Sequence, residues 1–311
     1  MEKNNAAKFA FFYMLSLVSL IFTALSTGII IFQFINKNIT DVLSTTTTGF
    51  DSSALKFAIS AVIIAAPIYF VLMSLINKNL FEGNLDKESG IRKWLTYFII
   101  FISSVVMIGW LIGTVNFFLD GELTIKFILK SITAILISAI IFSFYLYDIK
   151  RGEVQKKKDK IVRVYFVVSL VIVIVCFVLS LFIVDSPAET RKKKIDSMIL
   201  SHFSEIDGAI NSYFRDYDRL PESLDTLKGE YNYIRNENLS DPETKEQFGY
   251  NAIGEFYELC ANFRKSNLDN TDSDQYSWYN QNWPHDAGWQ CIKQKIITEK
   301  DEILMRVPEK F

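Results

Sequence analysis

The chain has 311 residues, half of them hydrophobic and 22% charged, which excludes a disordered chain, a collagen and a disulfide-dense miniprotein. The formal net charge of −2 hides two unlike halves: residues 1–184 carry 17 Lys+Arg against 11 Asp+Glu, and residues 185–311 carry 16 against 24. Such a shift marks a domain boundary, and an acidic second half argues against nucleic acid as a partner, because phosphate binding needs basic surface.

Charge-free runs at 9–36, 57–77, 94–119, 131–147 and 164–184 break up the first half. A helix of about 20 apolar residues crosses the ~30 Å hydrocarbon core of a bilayer. Four runs meet that length directly. The fourth extends backwards through Phe127-Ile128-Leu129, with Lys130 snorkelling to an interface. The runs are apolar on every face, unlike the one-sided stripe of a surface helix. They predict membrane spans at about 9–36, 57–77, 94–119, 125–147 and 163–184. The first run is too long for a signal-peptide core and reads as a retained helix. Pairs such as Ala24/Gly28, Ala61/Ala65, Gly109/Gly113 and Ala134/Ser138 let helices approach closely, and Pro67 is expected to kink the second. Gln33, Asn36 and Asn116 are the strongest polar groups within the runs. Because no ionisable group lies at mid-span, nothing points to an ion or proton pathway. Glu122, Lys126 and Lys130 are spaced as an interfacial charge ladder on one helix face.

Orientation follows from Lys and Arg in the short loops. With the N-terminus inside, the inner segments hold 13 cations and the outer ones 8, even counting Arg191-Lys192-Lys193-Lys194 as outer. The expected location is a bacterial cytoplasmic membrane, with a cytoplasmic N-terminus and an extracytoplasmic residue 185–311 domain. Lys156-Lys157-Lys158 reads as a topology signal with contact to anionic lipid.

The strings Lys8-Phe9-Ala10-Phe11-Phe12-Tyr13, Ala65-Ala66-Pro67-Ile68-Tyr69, Arg92-Lys93-Trp94-Leu95-Thr96-Tyr97-Phe98 and Gly109-Trp110-Leu111-Ile112-Gly113 resemble a bacterial family of small multi-helix membrane proteins of unknown function. The resemblance covers roughly residues 8–150. It implies a membrane location and no established chemistry.

Beyond Asp185, which is expected to end the fifth helix, Ser186-Pro187-Ala188-Glu189 is a capping box with proline at the first helical position. It starts a helix whose apolar positions Ile195, Met198, Ile199, Phe203, Ile206, Ile210, Tyr213, Phe214 and Tyr217 fall on one face. Leu220-Pro221 is expected to end it, and a turn-rich segment follows to about residue 247. Strands are expected at Phe248–Ile253 and Phe256–Phe263, joined tightly at Gly254-Glu255, and at Trp289–Ile297. The implied fold class is a five-helix membrane α-bundle followed by a small α+β domain, a long helix on an antiparallel meander.

This half also carries Tyr213-x-x-Asp216, Leu220-Pro221-x-Ser223-Leu224-x-x-Leu227, Asp241-Pro242-x-Thr244, Phe248-Gly249-Tyr250 and Tyr257-x-Leu259-Cys260-Ala261, with a second cysteine at Cys291. The order resembles the soluble head of type II secretion pseudopilins and type IV pilin-like proteins, over about residues 191–297. That resemblance implies a long helix packed on a meander, with a C-terminal disulfide pinning the last loop. The fifth run has neither a pilin cleavage site nor the glutamate of a mature pilin helix, and Pro187 interrupts the helix. The expectation is a pilin-like head fixed on a multispan anchor.

Of three cysteines, Cys176 lies within a span and reads as an inert thiol. Cys260 and Cys291, outside in this topology, are expected to form a disulfide. A metal pair would lack neighbouring ligands. Asp269, Asp272 and Asp274 form an oxygen-rich cluster resembling a calcium loop, but with Gln275 and Gln281 where an EF-hand needs Gly and Glu; a solvated acidic turn is the expectation and calcium the alternative. Tyr276, Trp278, Tyr279, Trp283 and Trp289 crowd one segment. They are expected to pack over the sheet, the alternative being a flat surface for a partner or a sugar. His202 and His285 have no catalytic partners in sequence, and no nucleotide, zinc-protease or hydrolase motif is present. The chain therefore reads as a non-enzymatic protein whose partners are the lipid bilayer and other envelope proteins, with a binding or envelope-assembly role. The alternative is a transporter or channel-like protein with a regulatory head.

Overall fold

The structure, a computed structural model, describes residues 3–39, 49–83, 90–151, 159–268 and 282–296. It divides into two compact units, Met1–Val184 and Asp185–Phe311.

The first unit holds α1 (Lys3–Asn38), α2 (Ser52–Glu82), α3 (Gly90–Leu119), α4 (Ile125–Lys150) and α5 (Lys160–Leu181). All five are long and apolar enough to cross a membrane. Each apolar run grows outward into flanking polar sequence where a cap is available. The Asp51 side chain accepts the N–H groups of Ser53 and Ala54 at the start of α2, and Gly83, at φ 77°, closes its end; that left-handed conformation favours glycine. Thr124 and Asp159 cap α4 and α5. α2 runs unbroken through Pro67. The charge ladder is not formed as expected: Glu122 lies in the turn before α4, and Lys126 is buried. α5 ends at Leu181, short of Asp185.

α1 packs most extensively on α2, α3 on α4, and α1 also touches α3, α4 and α5. Its central place fits its composition. Ser19, Thr23 and Thr27 are buried, and each hydroxyl donates to the carbonyl four residues back, at 2.8, 2.7 and 2.7 Å. The side chains are thus small and need no outside partner in an apolar medium. At Gly28 a Cβ would stand 3.7 Å from Ile137 of α4. Gln33 and Asn36 serve the α1–α2 connection: Gln33 Oε1 accepts the Asp51 N–H at 2.8 Å, and Asn36 Nδ2 donates to the Gly49 carbonyl at 3.0 Å.

In the second unit Ser186 caps α6 (Pro187–Tyr217), its hydroxyl accepting the Glu189 N–H at 3.2 Å with proline in the first turn. The helix ends on left-handed Asp218, before Leu220-Pro221 is reached. Its buried face includes Ile199, Phe203, Ile206, Ile210 and Tyr213, whereas Met198 and Tyr217 are exposed. The segment expected to be turn-rich contains α7 (Leu224–Glu230), which buries Leu224 and Leu227. The sheet comprises β1 (Gly249–Ile253), β2 (Phe256–Phe263) and β3 (Gly288–Lys295), in the order β1-β2-β3, with both pairings antiparallel. Ile253 pairs with Phe256 across the two-residue turn Gly254-Glu255, Gly254 sitting at φ 63°. One face of the meander closes on α6 around Phe203, Tyr257, Leu259 and Phe263.

Candidate functional site

The strongest concentration of buried charge lies at the end of the helical bundle where α1 begins, and helices distant in sequence build it. Arg92 sits in the first turn of α3, Asp148 in the last turn of α4, Arg151 just beyond it, and Asp159 at the cap of α5. Arg92 Nη2 lies 2.6 Å from Asp148 Oδ2 and donates to the Asp148 carbonyl at 3.1 Å. Arg151 Nη2 lies 2.7 Å from Asp148 Oδ1, and its Nη1 lies 3.9 Å from Asp159 Oδ2. The Tyr147 hydroxyl donates to Asp159 Oδ2 at 2.9 Å, and Arg151 reaches Asn77 Oδ1 of α2 at 3.5 Å. The side chains of Arg92, Arg151 and Asp148 are 3%, 9% and 13% exposed. Charges buried this deeply require opposite partners and hydrogen bonds, and a forked guanidinium supplies both. Arg151 Nε stays without a hydrogen-bond partner.

Two apolar clefts run through the bundle. One, of about 100 Å³, lies among α1, α2, α4 and α5, with Phe70, Phe144 and Phe166 in its wall. The other, of about 370 Å³, lies among α1, α3 and α4, beside Gly28 and Trp110. Leu20, Ala24, Ile137 and Ile141 line both. The first cleft ends at Asn77 and Tyr145, which also line a small polar recess reaching Tyr13, Ser16, Thr96 and Asp148.

In the second unit the expected disulfide is present. Cys260 and Cys291 face each other directly in the β2–β3 register and are bonded, while Cys176 is a buried free thiol. A Cβ on Gly249, the β1 partner of Cys260, would stand 2.9 Å from the Cys260 Cβ. That position therefore suits glycine alone. The aromatic segment divides. Trp283 is buried in the core, its Nε1 donating to Ser204 Oγ at 3.0 Å, and Trp289 is 60% exposed on β3. Tyr276, Trp278 and Tyr279 lie outside the described residues, as do Asp269, Asp272 and Asp274 of the acidic turn for which calcium is the alternative.

Several buried polar groups of this unit tie its helix, sheet and loops together, while His202 Nδ1 and Thr190 Oγ1 have no hydrogen-bond partner. The Tyr257 hydroxyl donates to Asp207 Oδ1 of α6. Asp196 of α6 accepts the N–H groups of Arg264 and Lys265, each at 2.9 Å. Arg264 grips Asp241 with both terminal nitrogens, at 2.5 and 2.9 Å. His285 stacks on Phe263 with ring centroids 3.7 Å apart, and its Nδ1 lies 2.9 Å from the Trp283 carbonyl. Burial lowers the His285 pKa, which favours the neutral ring.

Burial pushes the Asp196 carboxyl up to about 6, against the pull of its two backbone donors. In the unfolded chain the same group titrates near ~3.9. The folded unit therefore takes up this proton first as pH falls, so the Asp196 contribution to stability is greatest below about pH 4 and is lost as pH rises through about 6. Thermal melts of wild type and Asp196→Asn across this range are expected to differ in slope, the variant losing less stability on the way up. Parallel slopes would remove Asp196 as the cause.

Residues 10–145 match the model of a family described as a domain of unknown function, DUF5671. The match takes in most of α1, all of α2 and α3 and most of α4, including Arg92, and stops before Asp148. No curated protein and no solved structure matches the chain.

Proposed function

We propose that this multi-pass membrane protein displays residues 185–311 as an extracytoplasmic, pilin-like head in a bacterial cytoplasmic membrane, and that the head is a binding or envelope-assembly module without catalysis. The observation that carries the reading is the arrangement after the last apolar helix: a capped break at Ser186-Pro187, then a 31-residue amphipathic helix on a disulfide-closed meander. A disulfide of this kind persists in an oxidising compartment, which supports the outside placement. The break supports a head held on its anchor, because a pilin assembles through one continuous helix. The buried acids Asp196 and Asp207 of α6 are engaged in contacts with the sheet and the segment after it, which favours a binding role over a chemical one.

Orientation is tested by fusing reporters after Phe311. A reporter active only outside the cytoplasm is expected to work there, and a cytoplasmic one to be silent; the reverse pair overturns the orientation. Co-purification from native membranes tests the partner role, the expected catch being envelope proteins retained by the full chain and lost when 185–311 is removed.

A further inference from the structure

We infer that the cleft of about 370 Å³ among α1, α3 and α4 is a binding site for the long hydrocarbon chain of one polyisoprenoid lipid, held by the chain and not by its headgroup. The inference rests on the helices crossing a bilayer and is independent of the role proposed for the head.

Small residues leave the space open. Ala24 and Gly28 of α1 and Ala134 and Ser138 of α4 all line the cleft. Such pairs let helices close on one another. Here the nearest atom that a Gly28 Cβ would meet is the tip of the Ile137 side chain, at 3.7 Å, and a void remains between the helices. It opens sideways. Ile21 and Leu25 of α1 and Val106 of α3 are exposed on its rim, whereas Leu20, Ile99, Ser103 and Ser138 are buried in its depth. None of its α4 residues is exposed. The mouth therefore lies between α1 and α3, where a membrane-spanning helix meets lipid chains and not water.

Position and length select the occupant. On α3 the lining runs from Ile99 to Trp110 and on α4 from Ala134 to Ile141, in each case centred on the middle of the helix. On α1 it runs from Leu17 to Phe32, roughly 22 Å at 1.5 Å per residue. Each leaflet of a ~30 Å hydrocarbon core is about 15 Å deep. The cleft thus reaches well past the mid-plane on both sides, and a chain confined to one leaflet would fill about half of it. Spread over that length, 370 Å³ leaves a mean section of roughly 17 Å². Carbon chains in contact lie ~4–4.5 Å apart, which gives one chain a section of roughly 16–20 Å². One extended chain fits, and a helix, ~10–12 Å across with its side chains, does not.

The chemistry of the wall agrees. Among the described residues, none that lines the cleft is charged. The Ser103 hydroxyl serves its own helix, 2.8 and 3.0 Å from the Ile99 and Ile100 carbonyls. The remaining polar groups are the Ser138 hydroxyl and the Trp110 indole. Phe32 and Trp110 meet edge to face at one end, with ring centroids 5.5 Å apart. Such a wall binds through apolar area and offers nothing to a phosphate or a sugar. Membrane lipids whose single chain outruns a leaflet are the polyisoprenoids.

The test uses the full chain in mild detergent and native mass spectrometry, with a long-chain polyprenol, its phosphate ester and farnesol as probes. One polyprenol per chain is expected to be retained at least about tenfold better than farnesol, the worth of about two further buried methylenes. The phosphate ester is expected to be retained as well as the free alcohol. Ala134→Leu, which fills the cleft from α4, is expected to abolish retention and to raise the Tm of the lipid-free chain. Val106→Trp, which obstructs the mouth from an exposed position, is expected to abolish retention with Tm unchanged. Equal retention of farnesol and polyprenol overturns the inference. So does a preference of about tenfold for the phosphate ester, since a headgroup would then be holding the lipid. Unchanged retention in either variant also overturns it.

Discussion

Replacing Asp148 by Asn is expected to destabilise the helical bundle by about 3–5 kcal/mol, the usual cost of removing one partner from a buried ion pair. Asp148 is the shared acceptor of Arg92 and Arg151, at 2.6 and 2.7 Å, and both guanidinium groups are at least nine-tenths buried. An amide keeps the shape but can neutralise neither cation. The loss is measured by thermal or denaturant unfolding of the full chain in detergent. The control is the double variant Asp148→Asn with Arg92→Gln: if the pair is the cause, the second change costs far less in the variant background than in wild type. Additive effects would show that Arg92 and Asp148 do not act together. Removing the cluster also loosens α3 from α4 at the end where the bundle carries its charge, so the effect is expected to be concentrated in that region in hydrogen exchange.

Breaking the Cys260–Cys291 bond is expected to remove about 3–4 kcal/mol from the second unit. The bond closes a separation of 31 residues, for which loop-closure entropy in the unfolded chain gives that magnitude. In a unit of this size each kcal/mol moves Tm by about 4 °C, so reduction, or Cys260→Ala with Cys291→Ala, is expected to lower Tm by roughly 10–15 °C. A fragment covering 185–311 suits the measurement, because its core draws only on its own residues, from Ile199 to Ile296. A drop of less than about 3 °C would mean that the β2–β3 register holds without the bond. In native membranes both thiols are expected to resist labelling until reduced; free labelling would remove the disulfide and with it an independent support for the outside placement.

Much of the fold was legible in the sequence because it rests on local rules. Apolar length sets the five long helices, and no neighbour is needed to recognise a run such as 164–184. The Ser186-Pro187-Ala188-Glu189 cap placed the start of α6 at Pro187, since capping is decided within one turn. The Gly254-Glu255 pair between two β-rich runs located β2 and its hairpin. Local rules also misled. Spacing alone assigned Glu122, Lys126 and Lys130 to one helix face, but the Thr124 cap starts the helix after Glu122. α7, at 7 residues, is too short for a periodic signal and exists because Leu224 and Leu227 find the core.

What only the tertiary structure decided depends on pairs far apart in the chain. Arg92 and Arg151 read as loop cations and Asp148 as the residue just past a span; 56 residues separate Arg92 from Asp148. No spacing links them, and the energy that joins them comes from sharing a low-dielectric end of the bundle. The clefts are likewise invisible in a composition that is apolar throughout, because a void is set by how α1, α4 and their neighbours fail to fill space. The same holds for the tryptophans: Trp283 and Trp289 are alike in sequence, yet one is buried against Phe203 and Ser204 and the other exposed beside the disulfide. Charge, apolar length and capping determined the elements and where each one starts; burial, which depends on every neighbour at once, decided which polar groups became partners.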